Sequence, residues 1–257
     1  MISLDRVTFG YSPSAPIFEM FTWDVEAGEA WCVLGPSGCG KTTLLYLLAG
    51  LRRPTAGLVS VEGQSLDRPR PRTGLVLQDY GLMPWATVHE NVALGLRVRG
   101  FYGPDGRHAP RDEVVGQLRG RVGEWLDRMG LRSVAGHYPG QVSGGQRQRT
   151  AIARTLALHP DLLLMDEPFA SLDAPTREDL QDLTLQLRSE RDLTLILVTH
   201  TIEEAAFLGQ KILLLGRPPT RQALVVDNPQ AGSSDFRRTA GYAAMCRDLR
   251  QRLGALV

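Results

Sequence analysis

Apolar residues cluster in short blocks along the chain, at 30–34, 74–77, 162–165, 193–198 and 212–215, each bounded by turn-forming residues. Blocks of this length predict strands buried on both faces. Between them the apolar positions take helical spacing. Residues 41–49 predict a helix stopped at Gly50, because glycine accepts the left-handed turn that ends many helices. Thr87 and Glu90 have the spacing of a capping box, which predicts a helix opening there and running towards Arg97. A charged amphipathic helix is predicted over 112–129, and another over 144–158, capped by Ser143 and followed by Pro160. Asp173 and Pro175 open one more, whose Leu180, Leu183 and Leu187 share a face.

Strands alternating with helices predict an α/β fold with a parallel sheet covered on both sides. Residues 81–158 break that alternation and read as a helical subdomain inserted into the sheet domain. The expected organisation is a first core segment at 1–80, the subdomain at 81–158, a second core segment at 159–216 and a C-terminal extension at 217–257. The segment 101–110 is rich in glycine, proline and charge and reads as an exposed loop. Residues 216–234 read as a linker with a short strand at 223–226, and 236–253 as a closing basic helix.

The chemistry begins at Gly35-Pro36-Ser37-Gly38-Cys39-Gly40-Lys41-Thr42-Thr43, between an apolar block and a helix. This is a Walker A phosphate loop. Its glycines let successive N–H groups point inward as a nest for phosphate oxygens. Lys41 offers a point charge to the β- and γ-phosphates, the Thr42 hydroxyl a ligand to Mg²⁺, and the following helix its N-terminal dipole. Cys39 has two readings: a thiol made acidic by the amides and Lys41, or a small filler.

Bulk properties narrow the class. The chain has 257 residues, 43% hydrophobic and 22% charged, enough for a large core. A net charge of +1 with interspersed signs argues against a nucleic-acid partner, with Arg147, Arg149 and Arg154 the local exception. Three scattered cysteines, Cys32, Cys39 and Cys246, make neither a disulfide framework nor a zinc site and suit a reducing cytoplasm. The start lacks the pattern of a signal peptide. The apolar runs fall far short of the roughly 20 residues that span a bilayer, so a membrane role would come through a partner.

The block at 162–165 ends in Asp166 and Glu167, a Walker B pattern. A parallel strand delivers such acids to the ligand-bearing edge of the sheet. There Asp166 can hold Mg²⁺ through water and Glu167 can polarise an attacking water. Val142-Ser143-Gly144-Gly145-Gln146 then places a second anion site at a helix N-terminus. One nucleotide does not need two such sites from one chain, so this one is expected to complete a nucleotide held by another copy.

With these motifs in order, the chain resembles the ATP-binding cassette (ABC) ATPases, whose signature usually has leucine where Val142 stands here. The resemblance covers about residues 4–215. It implies a P-loop NTPase-like core with an N-terminal antiparallel β region. It also implies roles residue by residue: Tyr11 stacking on adenine (or, alternatively, packed core), Gln78 contacting metal and water, Asp173 in the D-loop and His200 touching the γ-phosphate. Catalysis is thus expected from Lys41, Gln78, Glu167 and His200, with Mg²⁺ held by Thr42, Gln78 and Asp166.

The implied reaction is ATP hydrolysis by a head-to-tail pair of cassettes docked on separate transmembrane permease subunits. The residues Gly81 to Leu96 are similar to the importer branch handling nitrate, sulfonates and taurine. That branch implies a solute-binding protein as an indirect partner and a peripheral place on the cytoplasmic face of a bacterial membrane. Alternatives are the ATPase of an exporter or lipoprotein-release complex, a non-transport cassette ATPase, and a module that holds ATP without turning it over.

Overall fold

A computed structural model describes residues 1–256 of the chain, the side chains of Val115, Arg119 and Ser234 excepted. In chain order the elements are β1 (Ile2–Phe9), β2 (Phe18–Val25), β3 (Ala30–Leu34), α1 (Lys41–Leu48), β4 (Ala56–Val61), β5 (Gln64–Ser65), β6 (Thr73–Val76), α2 (Val88–Tyr102), α3 (Leu118–Arg128) and α4 (Gly144–Leu156). Then follow β7 (Leu162–Asp166), α5 (Ala174–Arg191), β8 (Thr194–Thr199), α6 (Ile202–Leu208), β9 (Lys211–Leu214), β10 (Leu224–Asp227) and α7 (Ala240–Leu256). The chain packs into two units: one of Met1–Pro69, Leu164–Glu167 and the residues from Gln181 onward, the other of Arg70–Leu163 and Pro168–Leu180.

The first unit carries two sheets. In one, β1 pairs antiparallel with both β2 and β4, and β5 extends β4. Ile2, Leu4, Val7 and Phe9 of β1 are buried while its alternate positions are more open, as expected for a strand covered on one face. In the other sheet β3 lies between β8 and β9, parallel to both, and β10 returns antiparallel beside β9. Every residue of β3 and β8 is buried, which is why both read as unbroken apolar blocks. Because Val33 stands beside both Val198 and Leu213 in register, β3 and β8 end at the same edge. The loop to α1 and the turn to α6 start there.

The second unit is mainly helical. Its strand β6 adjoins the start of β7, where the Asp161 N–H donates to the Arg72 carbonyl at 2.9 Å. Helix α2 packs on α3 and α4 around Val92, Leu96, Trp125, Leu126, Ile152 and Leu156, all buried. Thr87 and Glu90 form the reciprocal capping box that the sequence predicts.

Several expectations need correction. The helix predicted from residue 112 begins only at Leu118, because Asp112 and Glu113 are engaged by arginines instead: Asp112 by Arg72, and Glu113 by Arg99 and Arg121. Helix α2 continues past Arg97 to Tyr102, and Gly103 at φ 70° ends it, so Phe101 and Tyr102 belong to the helix and not to the loop. The closing helix starts at Ala240, after a separate turn over Ser234–Arg238. The short strand foreseen in the linker is β10. Helix α6 was not foreseen from the apolar pattern.

Candidate functional site

In the first unit the loop after β3 is shaped by contacts that exclude side chains. A Cβ on Gly35 would lie 2.6 Å from Cys39 Sγ and 2.7 Å from the Leu215 carbonyl oxygen. Gly40, which caps α1, has φ 104°, a conformation that glycine adopts without strain. The Gly40 carbonyl accepts from the Leu44 N–H at 2.8 Å and starts the helix. Lys41 is buried, and its Nζ donates to the carbonyls of Gly35 at 2.9 Å and Pro36 at 3.0 Å. The ammonium is thereby tied back to the start of its own loop.

The next residue joins two distant parts of the chain. Thr42 Oγ1 donates to Asp166 Oδ1 at 3.2 Å. Burial pushes the Asp166 carboxyl above its ordinary pKa, the Thr42 hydrogen bond pulls it back, and the charge of Glu167 raises it further. Thr43 Oγ1 lies 3.4 Å from the hydroxyl of Tyr11, whose ring packs edge-on against Phe9 at 5.4 Å. Tyr11 is nonetheless 63% exposed, with the Arg52 guanidinium 6.0 Å from its ring centroid.

Glu167 sits at φ 44°, in the left-handed region, with its N–H bonded to the Val198 carbonyl at 2.9 Å. Its Oε2 lies 3.0 Å from Nδ1 of His200. The turn that carries His200 is braced by a pair not legible in the sequence. Thr199 Oγ1 donates to the buried Glu204 at 2.6 Å and accepts from the Thr201 N–H at 3.0 Å.

Cys39 is buried, and burial raises its pKa, with Lys41 and the nearby amides opposing. Of the two readings of Cys39, burial favours the small filler. Among the described residues no group of three or more His, Cys, Asp or Glu could hold a metal. The hydroxyl and carboxylate of Thr42 and Asp166 are hard oxygen donors, and few protein ligands suit Mg²⁺, which takes its remaining ligands from phosphates and water.

The second unit holds the other residues. Ser143 Oγ accepts from the Gln146 N–H at 3.2 Å, and Gln146 Oε1 accepts from the Ser143 N–H at 2.9 Å. Gly144 and Gly145 form the first turn above this box. A Cβ on Gly145 would come within 2.6 Å of Thr176 Cγ2. Asp173 Oδ2 accepts from the Thr176 N–H at 3.4 Å and caps the helix that follows; hydrogen bonds from Thr176 hold its carboxyl below the usual range. Gln78 is exposed beyond β6.

Sequence reasoning missed the frame around these residues. The Tyr80 hydroxyl lies 2.6 Å from Ser171 Oγ, and Arg147 sits 5.8 Å above the Tyr80 ring. Arg154 donates to the carbonyls of Tyr80 at 2.8 Å and Gly81 at 2.6 Å. Arg147 also donates to the Val142 carbonyl at 2.7 Å, and Arg149 to that of Met129 at 3.4 Å. The local basic group is thus occupied with backbone carbonyls. The only sequence signal was an aromatic two positions after Gln78 and arginines at helical spacing.

Comparison with known proteins identifies the family. The sequence profile described as ABC transporter matches residues 18–170. The taurine import ATP-binding protein of Pseudomonas aeruginosa is 46% identical over 194 residues, which are 76% of this chain and 69% of that protein. The nitrate import ATP-binding protein of Synechocystis is 39% identical over 220 residues, covering 85% and 78% respectively. Among solved structures, a dimeric ATP-binding cassette in a post-hydrolysis state with ADP and Pi superposes with a TM-score of 0.74. It is 30% identical, and the match covers 88% of this chain and 98% of that one.

Proposed function

Because the chain belongs to the ABC transporter family, we propose that its ATP hydrolysis energises uptake of a small anionic or zwitterionic solute of the taurine or nitrate class. The chain is the ATP-binding and ATP-hydrolysing component of an import system. The observation that carries the catalytic reading is the pairing of Glu167 with His200 on the unit that also joins Thr42 to Asp166 beside Lys41.

The reaction is ATP + H₂O → ADP + phosphate. Lys41 and the loop amides hold the β- and γ-phosphate oxygens; two of the three Lys41 donors already anchor it to carbonyls, which leaves one for a phosphate. Thr42 and Asp166, with Gln78, are the residues that would hold Mg²⁺. When bound, the ion neutralises charge developing on the phosphate oxygens. Glu167 orients the attacking water and takes up its proton density, and His200 fixes the Glu167 carboxylate within hydrogen-bond reach. The exposed face of Tyr11 receives the adenine.

Ser143, Gly144, Gly145 and Gln146 act on the nucleotide of a second copy, with Asp173 beside that junction. A head-to-tail pair of this kind has two-fold symmetry and two composite sites. No helix among the described residues is long and apolar enough to cross a membrane, which suits a peripheral subunit docked on permease subunits at the cytoplasmic face, supplied by a solute-binding protein. Reconstitution with the cognate permease in vesicles tests the reading. ATP-dependent uptake of labelled taurine or nitrate is expected, and phosphate release without uptake of either would exclude this cargo class.

A further inference from the structure

A cavity of about 150 Å³ in the second unit is lined by an unusual concentration of charge, including Arg72, Arg99, Arg121, Asp112, Glu113 and His159. Glu113 holds two guanidiniums at once: Oε2 pairs with Arg99, and Oε1 with Arg121 at 2.7 Å. Arg99 and Glu113 are almost wholly buried, with side chains 3% and 4% exposed. Arg72 pairs with the more open Asp112. Three guanidiniums therefore meet two carboxylates here, an excess of positive charge even with His159 neutral.

The excess is felt by the residues themselves. Burial lowers the pKa of Arg99, Glu113 opposes the change, and the charges of Arg121 and Arg72 add to the lowering. Arg121, nine-tenths buried, keeps its Nη1 away from solvent with no hydrogen-bond partner among the described residues. A buried guanidinium N–H without an acceptor costs free energy. A negatively charged acceptor would remove both the orphan donor and the excess charge.

We infer that this cavity is a binding site for a small oxyanion of about the size of sulfate, held by Arg121 and Arg72 against the Arg99–Glu113 pair. The volume of about 150 Å³ leaves room for a tetrahedral or trigonal oxyanion. The arginine fork suits such oxygens in a way that a lysine would not. The site belongs to the helical unit, whereas the phosphate loop belongs to the other.

Sulfate titration of the ADP-saturated protein by calorimetry, at constant ionic strength set with chloride, provides the test. Saturable binding of sulfate is expected in the wild-type chain. Replacing Arg121→Gln or Arg72→Gln should weaken it by about tenfold or more, the loss of a charge-assisted hydrogen bond. Asp112→Asn, at a side chain 72% exposed, should instead tighten binding several-fold by freeing Arg72. Should Arg121→Gln fail to fold, Arg72→Gln and Asp112→Asn decide the matter with opposite expected signs. Absence of saturable binding in the wild type, or equal affinity in wild type, Arg72→Gln and Asp112→Asn, would overturn the assignment.

Discussion

His200 Nδ1 lies 3.0 Å from Glu167 Oε2, so the residue after β8 meets the residue after β7 across 33 positions of sequence. The contact places an imidazole beside the carboxylate assigned to the attacking water. Glu167→Gln should lower the turnover of ATP by about 10²- to 10⁴-fold, the usual worth of a positioned general base, while nucleotide affinity changes little. Phosphate release and nucleotide titration separate the two effects. Light scattering with ATP should also find more dimer for this variant than for the wild type.

Lys41→Ala removes both the charge offered to phosphate and two anchors to the Gly35 and Pro36 carbonyls. Calorimetry should record ATP binding at least tenfold weaker, from the loss of a charge-assisted contact. An unchanged dissociation constant would remove Lys41 from the phosphate site.

Asp166 gives a pH dependence with a definite sign. Burial raises its folded pKa, so the native state favours the protonated carboxyl. Its contribution to stability is complete below the ordinary carboxylate pKa and is lost as pH rises through the raised value. Asp166→Asn removes that loss. The nucleotide-free variant should unfold at a higher temperature than wild type at neutral pH, with the difference closing under acidic conditions. Thermal melts across pH check this, and added Mg²⁺ and ATP should raise the midpoint of the variant less than that of wild type.

Gly145 tests the packing of the signature turn. A Cβ there would press on Thr176 Cγ2 at 2.6 Å, and such overpacking typically costs about 1–3 kcal/mol. Gly145→Ala should lose stability in denaturant titration by that amount. Thr176→Ser keeps the hydroxyl but deletes the offending methyl, and in the double variant it should restore most of the loss.

Some of this protein was legible in its residues because the relevant physics is local. The glycine spacing of 35–40, the capping boxes at Thr87 and Ser143 and the unbroken apolar blocks of β3 and β8 each act over a few residues. Those signals were enough to assign the fold class and the kind of reaction. Strands β1, β2 and β4 were less clear, because one-sided burial and register shifts blur their alternation. Only tertiary structure decided that Thr42 would reach Asp166 across 124 positions, that Cys39 would be buried, and that Asp112 and Glu113 would pair with arginines instead of opening a helix. Distance through space and removal from water are properties of the whole packed chain, and neither is written in the order of its neighbours.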